Sequence, residues 1–265
     1  MSLTSSSTFK TYFHSIGEGK PLFLIHGVGL DHTMWNNQVQ YFSDKFRVYV
    51  YDLIGHGKSE KIKHTSHSID HFSLQLYELM EEEEIDRAHI IGFSLGGLIA
   101  RHFAINYGSK VESLIIAHSV AKRTINERKS ILERVQLVKN EGLQSIVDAA
   151  INRWFTKKYR SENKKTIQNI ESIILNNDHD SYVQAYSIFA SADEYLWDQL
   201  DQINQPTFII TGEDDVGSHP KMAKALYSKI EDSEVCIVPK ARHMLPVEDG
   251  HSFNINIDRF LKNKR

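Results

Sequence analysis

The chain has 265 residues, enough for one large domain or for a domain that carries an insertion. Hydrophobic residues make up 41% and charged residues 25%, the balance of a globular chain and not of a disordered or fibrous one. A net charge of -3 gives no electrostatic reason to expect a nucleic-acid or anionic-membrane partner, and no segment reaches the ~18 uninterrupted apolar residues of a membrane span.

The opening MSLTSSSTFK lacks a basic start followed by an apolar run, so no secretory signal is expected. The single cysteine, Cys236, excludes an internal disulfide and fits a reducing, cytoplasmic setting. Within EVCIVP it reads as a small buried hydrophobe. Next comes FKTYFHSIGEGKPLFLI, two strand-like runs around a glycine-containing connection, which predicts an antiparallel start to a sheet. Further short apolar runs follow: FRVYVYDL from Phe46, HIIGF from His89, VESLIIAHS from Val111, PTFIITGE from Pro206 and EVCIVP from Glu234. Each is rich in Val, Ile, Phe or Tyr and ends at Gly, Pro, Asp or Ser, the pattern of buried strands.

Helix-length stretches lie between most of these runs. IDHFSLQLYELMEEEEI has apolar residues at helical spacing, with Glu81 to Glu84 as its solvated end. SLGGLIARHFAINYG predicts a helix capped by Gly108. Alternating strands and helices predict an α/β fold with a mostly parallel sheet and helices on both faces. Between about Val120 and Asp201 the alternation stops. NERKSILERVQLVKNEG, LQSIVDAAINRWF, NKKTIQNIESIILNN and SYVQAYSIFASADEYL all read as amphipathic helices. Roughly eighty helical residues exceed an ordinary crossover. Residues 120–201 are therefore expected to form an inserted helical cap on a core made of 1–119 and 202–265. Its aromatic residues Trp154, Phe155, Tyr182, Tyr186, Phe189, Tyr195 and Trp197 are expected mainly to pack the cap, with a minority facing a ligand cavity.

Chemistry concentrates at strand ends. GFSLG follows an apolar strand and opens a helical pattern, the setting of a nucleophile elbow that presents Ser94 on a tight turn. The helix N-terminus would face charge developing near the serine oxygen. Glycines there would also serve plain strand-helix packing, and a serine hydroxyl needs a base and an orienting group. Asp214 and Asp215 follow one later strand and His243 the next, and active sites of parallel sheets gather at the carboxyl ends of strands. The order Ser, Asp, His suits the elbow, with either aspartate available to hold the imidazole. LIHGVG places a glycine-flanked loop after the strand from Pro21, where the N–H of Val28, with that of Leu95, would form an oxyanion hole. His26, ahead of the glycine, is expected to make a structural hydrogen bond.

Together these motifs resemble those of the α/β-hydrolase fold family. HGVG resembles its oxyanion loop, YDLIGHGKS its D-x-x-G-x-G-x-S segment, GFSLGG its elbow, TGEDD its G-x-x-D acid loop and ARHMLPVED its histidine loop. The acid loop places the carboxylate three residues after its glycine, which implies Asp215 and not Asp214. The resemblance runs over roughly 9–120 and 202–265 and is nearest to small capped esterases, enol-lactonases and carbon-carbon bond hydrolases. Arg242 departs from it where glycine is common, as does VGSHP after Asp215. Family members that are haloalkane dehalogenases or epoxide hydrolases carry aspartate at the elbow, so Ser94 argues against both. What the resemblance implies is a carboxylic ester hydrolase cleaving a small, partly apolar ester or lactone through an acyl-enzyme on Ser94. Carbon-carbon hydrolysis and cofactor-free perhydrolysis on the same triad are alternatives, and so is a non-catalytic ligand receptor. No H-E-x-x-H or other metal spacing occurs, and GHGKS lacks the full phosphate-loop pattern, so neither metal nor cofactor is expected. The expected partner is a small-molecule substrate, with no nucleic acid or membrane, and the chain a monomer or homodimer.

Overall fold

The computed structural model describes residues 2–3, 8–62 and 67–262. Among these residues eight strands form one sheet: β1 Ser2–Leu3, β2 Tyr12–Ile16, β3 Pro21–Ile25, β4 Arg47–Tyr51, β5 Ala88–Phe93, β6 Val111–Ala117, β7 Thr207–Gly212 and β8 Ser233–Val238. Their spatial order is β1-β2-β4-β3-β5-β6-β7-β8. Pairing is parallel from β4 onward and antiparallel at β1·β2 and β2·β4. The central runs are apolar on both faces, which suits strands covered on both sides: every residue of β5 and β7 is buried. Cys236 lies on the edge strand β8 and is only half-buried, with Sγ 3.6 Å from Asn256 Oδ1, so it is not the core residue expected.

The antiparallel start is present, but with a different neighbour. β2 does not fold back on β3; it pairs with β4 from Phe13↔Tyr51 to Ile16↔Val48. Side chains decide this. All of β3 after Pro21 is buried and needs neighbours on both sides, whereas His14, Ser15 and Ile16 of β2 are half-buried or exposed and suit the sheet margin.

The helices are α1 Asn36–Phe42, α2 Ile69–Glu82, α3 Leu95–Asn106, α4 Ile125–Glu141, α5 Gln144–Trp154, α6 Lys157–Glu162, α7 Lys164–Leu175, α8 His179–Trp197, α9 Pro220–Tyr227, α10 Leu245–Glu248 and α11 Gly250–Lys262. α3 ends two residues before Gly108, which opens a short 3-10 turn instead of capping the helix. α4 to α8 all fall between β6 and β7. α4 starts at a capping box in which Thr124 accepts from the Glu127 N–H and the Glu127 carboxylate accepts from the Thr124 N–H. α6 had no apolar period to announce it; it begins where the Thr156 hydroxyl accepts from the Tyr159 N–H. Among the described residues no helix is long and apolar enough to cross a membrane.

Candidate active site

Ser94 sits between β5 and α3 with φ 55° and ψ −111°, outside the regions that L-residues favour. Its N–H donates to Ala117 O at 2.9 Å, and its carbonyl accepts from the Gly97 N–H at 3.0 Å and the Ser119 hydroxyl at 2.9 Å. The turn is that tight because neighbouring backbone comes close. A Cβ on Gly92 would lie 2.2 Å from Gly96 O, and one on Gly96 would lie 2.3 Å from Ile25 O. Small residues around the serine are thus a steric requirement of the turn. Arg101, fully buried on α3, braces it from behind, donating to Gly97 O, Ser119 Oγ and Val120 O at 3.0, 3.2 and 2.7 Å.

Asp215 and His243 meet at the ends of β7 and β8. His243 Nδ1 lies 2.7 Å from Asp215 Oδ2, and both residues are buried. The other carboxylate oxygen, Oδ1, accepts from the Gly217 and Ser218 N–H groups, each at 2.9 Å. Asp214 is exposed, so of the two candidate aspartates Asp215 alone faces the imidazole. Arg242, the departure noted beside His243, donates to Asn152 O at 2.9 Å and Phe155 O at 3.2 Å, and the Met244 N–H donates to Trp154 O at 3.0 Å. The histidine loop is therefore tied on both sides to the carbonyl end of α5, where a guanidinium also meets the negative pole of the helix.

The sequence had no signal for His118. This residue follows β6 with φ 47°, is fully buried, and places Nδ1 2.9 Å from Asp215 Oδ2, the oxygen that also faces His243. Burial works against the charge on Asp215, yet the facing His243 charge and the hydrogen bonds from both rings hold its carboxyl well below the usual range. The three ligand-capable atoms of His118, Asp215 and His243 lie within 4.8 Å of one another. Both Nδ1 atoms point at one oxygen, an arrangement that protons satisfy without a metal ion.

The loop after β3 closes the other side. His26 is structural, as expected: Nδ1 lies 2.8 Å from Gly27 O and Nε2 accepts from the Leu53 N–H at 2.9 Å. Asp52 braces the same loop, accepting from the His32 N–H, His32 Nδ1 and the Lys58 N–H at 2.9, 2.7 and 2.8 Å. Asn177, just before α8, donates to Gly29 O at 3.0 Å, so the helical insertion holds this loop too. Val28 faces the cavity that contains Ser94, and Leu95 supplies the first N–H of α3.

Ser94, Asp215 and His243 open into one cavity of about 340 Å³. Ser94 Oγ makes no hydrogen bond to the His243 ring among the described residues. Four of the seven aromatics of the insertion line the cavity, Trp154, Tyr182, Tyr186 and Phe189, which is more than the minority expected. Phe155 instead stacks on Tyr159, Trp197 lies under Lys122 and Lys229, and Tyr195 is exposed.

The buried histidines carry a pH prediction. Burial lowers the pKa of His26, His56, His102 and His118, that of His56 to about 3. The unfolded chain takes up a proton near pH ~6.5 that each folded ring refuses. Each therefore costs no stability above that pH and up to ~1.4 kcal/mol per pH unit below it, down to its folded value. His32 acts in the opposite sense: burial opposes its charge, but the Asp52 hydrogen bond and charge raise its pKa. Urea midpoints are expected to hold from pH 7.5 to about pH 6.5 and then to fall toward pH 5, and His56→Gln to make that fall shallower. An unchanged slope in a folded His56→Gln protein would rule this ring out as a source of the acid sensitivity.

Comparison with known proteins extends this picture. A family model described as alpha/beta hydrolase fold matches residues 20–250. The chain is 28% identical over 241 residues to 3-oxoadipate enol-lactonase 2 of Acinetobacter baylyi, covering 91% of this chain and 88% of that one. It is 27% identical over 261 residues to (E)-2-((N-methylformamido)methylene)succinate hydrolase of the same organism, covering 98% and 97%. The crystal structure of the enol-lactonase from Burkholderia xenovorans LB400 superposes with a TM-score of 0.92 at 24% identity, covering 98% of this chain and all of that one, a likeness of fold.

Proposed function

The chain belongs to the α/β-hydrolase fold family, and from that premise we propose that it is a serine hydrolase cleaving a small, partly apolar ester or lactone through an acyl-enzyme on Ser94. The observation that carries this reading is the buried 2.7 Å contact between His243 and Asp215 on the wall of the cavity that also holds Ser94. Asp215 accepts the Nδ1–H of His243 and so leaves Nε2 with a lone pair. Nε2 takes the Ser94 proton as Oγ attacks the carbonyl carbon, then returns it to the leaving oxygen. A water molecule repeats the cycle on the acyl-enzyme. The Oγ–Nε2 hydrogen bond, unformed here, is one that commonly tightens only with substrate bound. Val28 and Leu95 N–H groups would stabilise the oxyanion as it forms.

In this reading residues 120–201 act as a cap over the core of 1–119 and 202–265, and its cavity-facing aromatics help set which substrates fit. Two relatives whose names specify a lactonase and a hydrolase of a succinate derivative support a small-molecule substrate. The test is covalent. A fluorophosphonate probe should label Ser94 stoichiometrically, and the protein should turn over 4-nitrophenyl acetate. A folded protein that neither labels nor hydrolyses would be a receptor on this fold and not a serine hydrolase.

A further inference from the structure

Three guanidinium groups line the cavity, those of Arg123, Arg134 and Arg153. Arg123 is neutralised inside the protein, with Nη1 2.6 Å from Asp193 Oδ1 and 3.0 Å from Phe189 O. The other two are not. Among the described residues neither Arg134 nor Arg153 has a carboxylate within ion-pair distance, and Arg134 Nε is a buried donor without a partner. The two carboxylates on the wall do not compensate them. Glu127 is engaged by the Thr124 N–H and hydroxyl and lies 2.8 Å from His219 Nε2, while Asp215 is held by His118, His243 and its own turn.

Helical spacing brings the pair to one wall. On α4, cavity-lining residues recur at 126, 127, 130, 131 and 134, and on α5 at 146, 150, 153 and 154. Each set is one face of its helix, and each includes an arginine, Arg134 on α4 and Arg153 on α5. The Arg134 charge reaches Arg153: burial lowers the pKa of Arg153, and the Arg134 charge lowers it further. Two half-buried cations lining one cavity, neither with an ion-pair partner among the described residues, are costly unless a ligand supplies an anion. The same cavity that holds Ser94 is also lined by apolar Ile131, Ile146, Ala150 and Trp154.

We infer that the substrate carries a carboxylate, separated from its reacting carbonyl by a short apolar chain, and that Arg134 and Arg153 bind this carboxylate while the carbonyl lies at Ser94. The planar guanidinium fork matches a carboxylate in two parallel hydrogen bonds, and two forks give such a group both charge and direction. This deepens the hydrolase reading and rests on it for the position of the carbonyl; the anion site itself is a separate property of the cap wall.

The experiment uses matched esters and a non-reacting ligand. Initial rates on the mono-4-nitrophenyl ester of glutaric acid are compared with those on 4-nitrophenyl pentanoate, of equal acyl length. The wild type is expected to favour the acid ester at least tenfold in kcat/KM. Arg134→Gln and Arg153→Gln should each reduce that preference at least tenfold, whereas Lys129→Gln, an exposed charge on α4, should change it less than twofold. Glutarate binding to Ser94→Ala, followed by calorimetry, should weaken at least tenfold on adding either arginine substitution. Hydrolysis of both esters without an acid preference, or equal loss in the lysine control, would overturn the anion site and leave the hydrolase reading intact. Glutarate bound through the arginines in a protein that hydrolyses neither ester would uphold the anion site and overturn the hydrolase reading.

Discussion

Ser94→Ala and His243→Ala are each expected to lower kcat/KM on an activated ester by about 10⁴- to 10⁶-fold, and the double variant to be little worse than either alone. In the proposed mechanism the two groups serve one proton transfer. Without the imidazole the hydroxyl stays protonated and attacks poorly; without the hydroxyl the imidazole has no nucleophile to activate. The residual rate would come from binding and the backbone N–H groups. Neither substitution should unfold the protein. Ser94 Oγ makes no bond that holds the turn, which rests on the backbone bonds to Ala117 and Gly97 and on the Ser119 hydroxyl. His243 shares Asp215 with His118, which remains. Tm should therefore move by less than about 3 °C, the equivalent of ~1 kcal/mol in a chain of this size. The measurement is steady-state kinetics on the three variants, with circular dichroism to confirm the fold. Losses that add in free energy, so that the double variant falls by the product of the two single effects, would mean that serine and histidine act in separate processes.

Much of this site could be read from short stretches of sequence, because its parts are local. A strand, a crowded turn and a helix lie within His89 to Asn106, and the glycines that the turn needs are its immediate neighbours in the chain. What the sequence concealed depends on distance along the chain. His118 meets Asp215 across 97 positions, and nothing near either residue announces the pairing. The choice between Asp214 and Asp215 was left open by spacing from the strand; burial against His243 separates them. On α4 the helical period shows that Glu127, Ile131 and Arg134 share a face, but not whether that face looks at solvent or at a cavity. The amphipathic pattern of α4 and α5 therefore does not distinguish Arg134 and Arg153 from charges on a solvated face. The neighbour of β2 was hidden for a similar reason, since a short glycine connection favours a hairpin locally while burial of β3 on both sides outweighs it.

Asp215→Asn is expected to cost roughly 10³- to 10⁴-fold in kcat, and Asp214→Asn less than about twofold. The acid loop shows why a change of one atom has so large an effect. Asp215 is surrounded by donors: two backbone N–H groups, of Gly217 and Ser218, face Oδ1, and two histidine Nδ1 atoms face Oδ2. A carboxylate accepts at both oxygens, whereas an asparagine has one acceptor and one NH₂. If its oxygen stays with the backbone N–H groups, the NH₂ points at both rings. His243 must then present a lone pair at Nδ1 and carry its proton on Nε2, the tautomer that cannot accept a proton from Ser94. Reversing the amide sets the NH₂ against the two backbone donors and strains the turn. Either way the base is lost while the side chain keeps its shape. Asp214 is exposed, so its amide meets water. His118→Asn supplies the intermediate case, because it removes one donor from Oδ2 and leaves His243 in place; its loss should be well below that of Asp215→Asn. Kinetics on all three variants, with urea unfolding to separate lost activity from lost fold, gives the ranking Asp215 far above His118, and His118 above Asp214. A folded Asp215→Asn protein that retained more than a tenth of wild-type kcat would remove Asp215 as the group that orients the base.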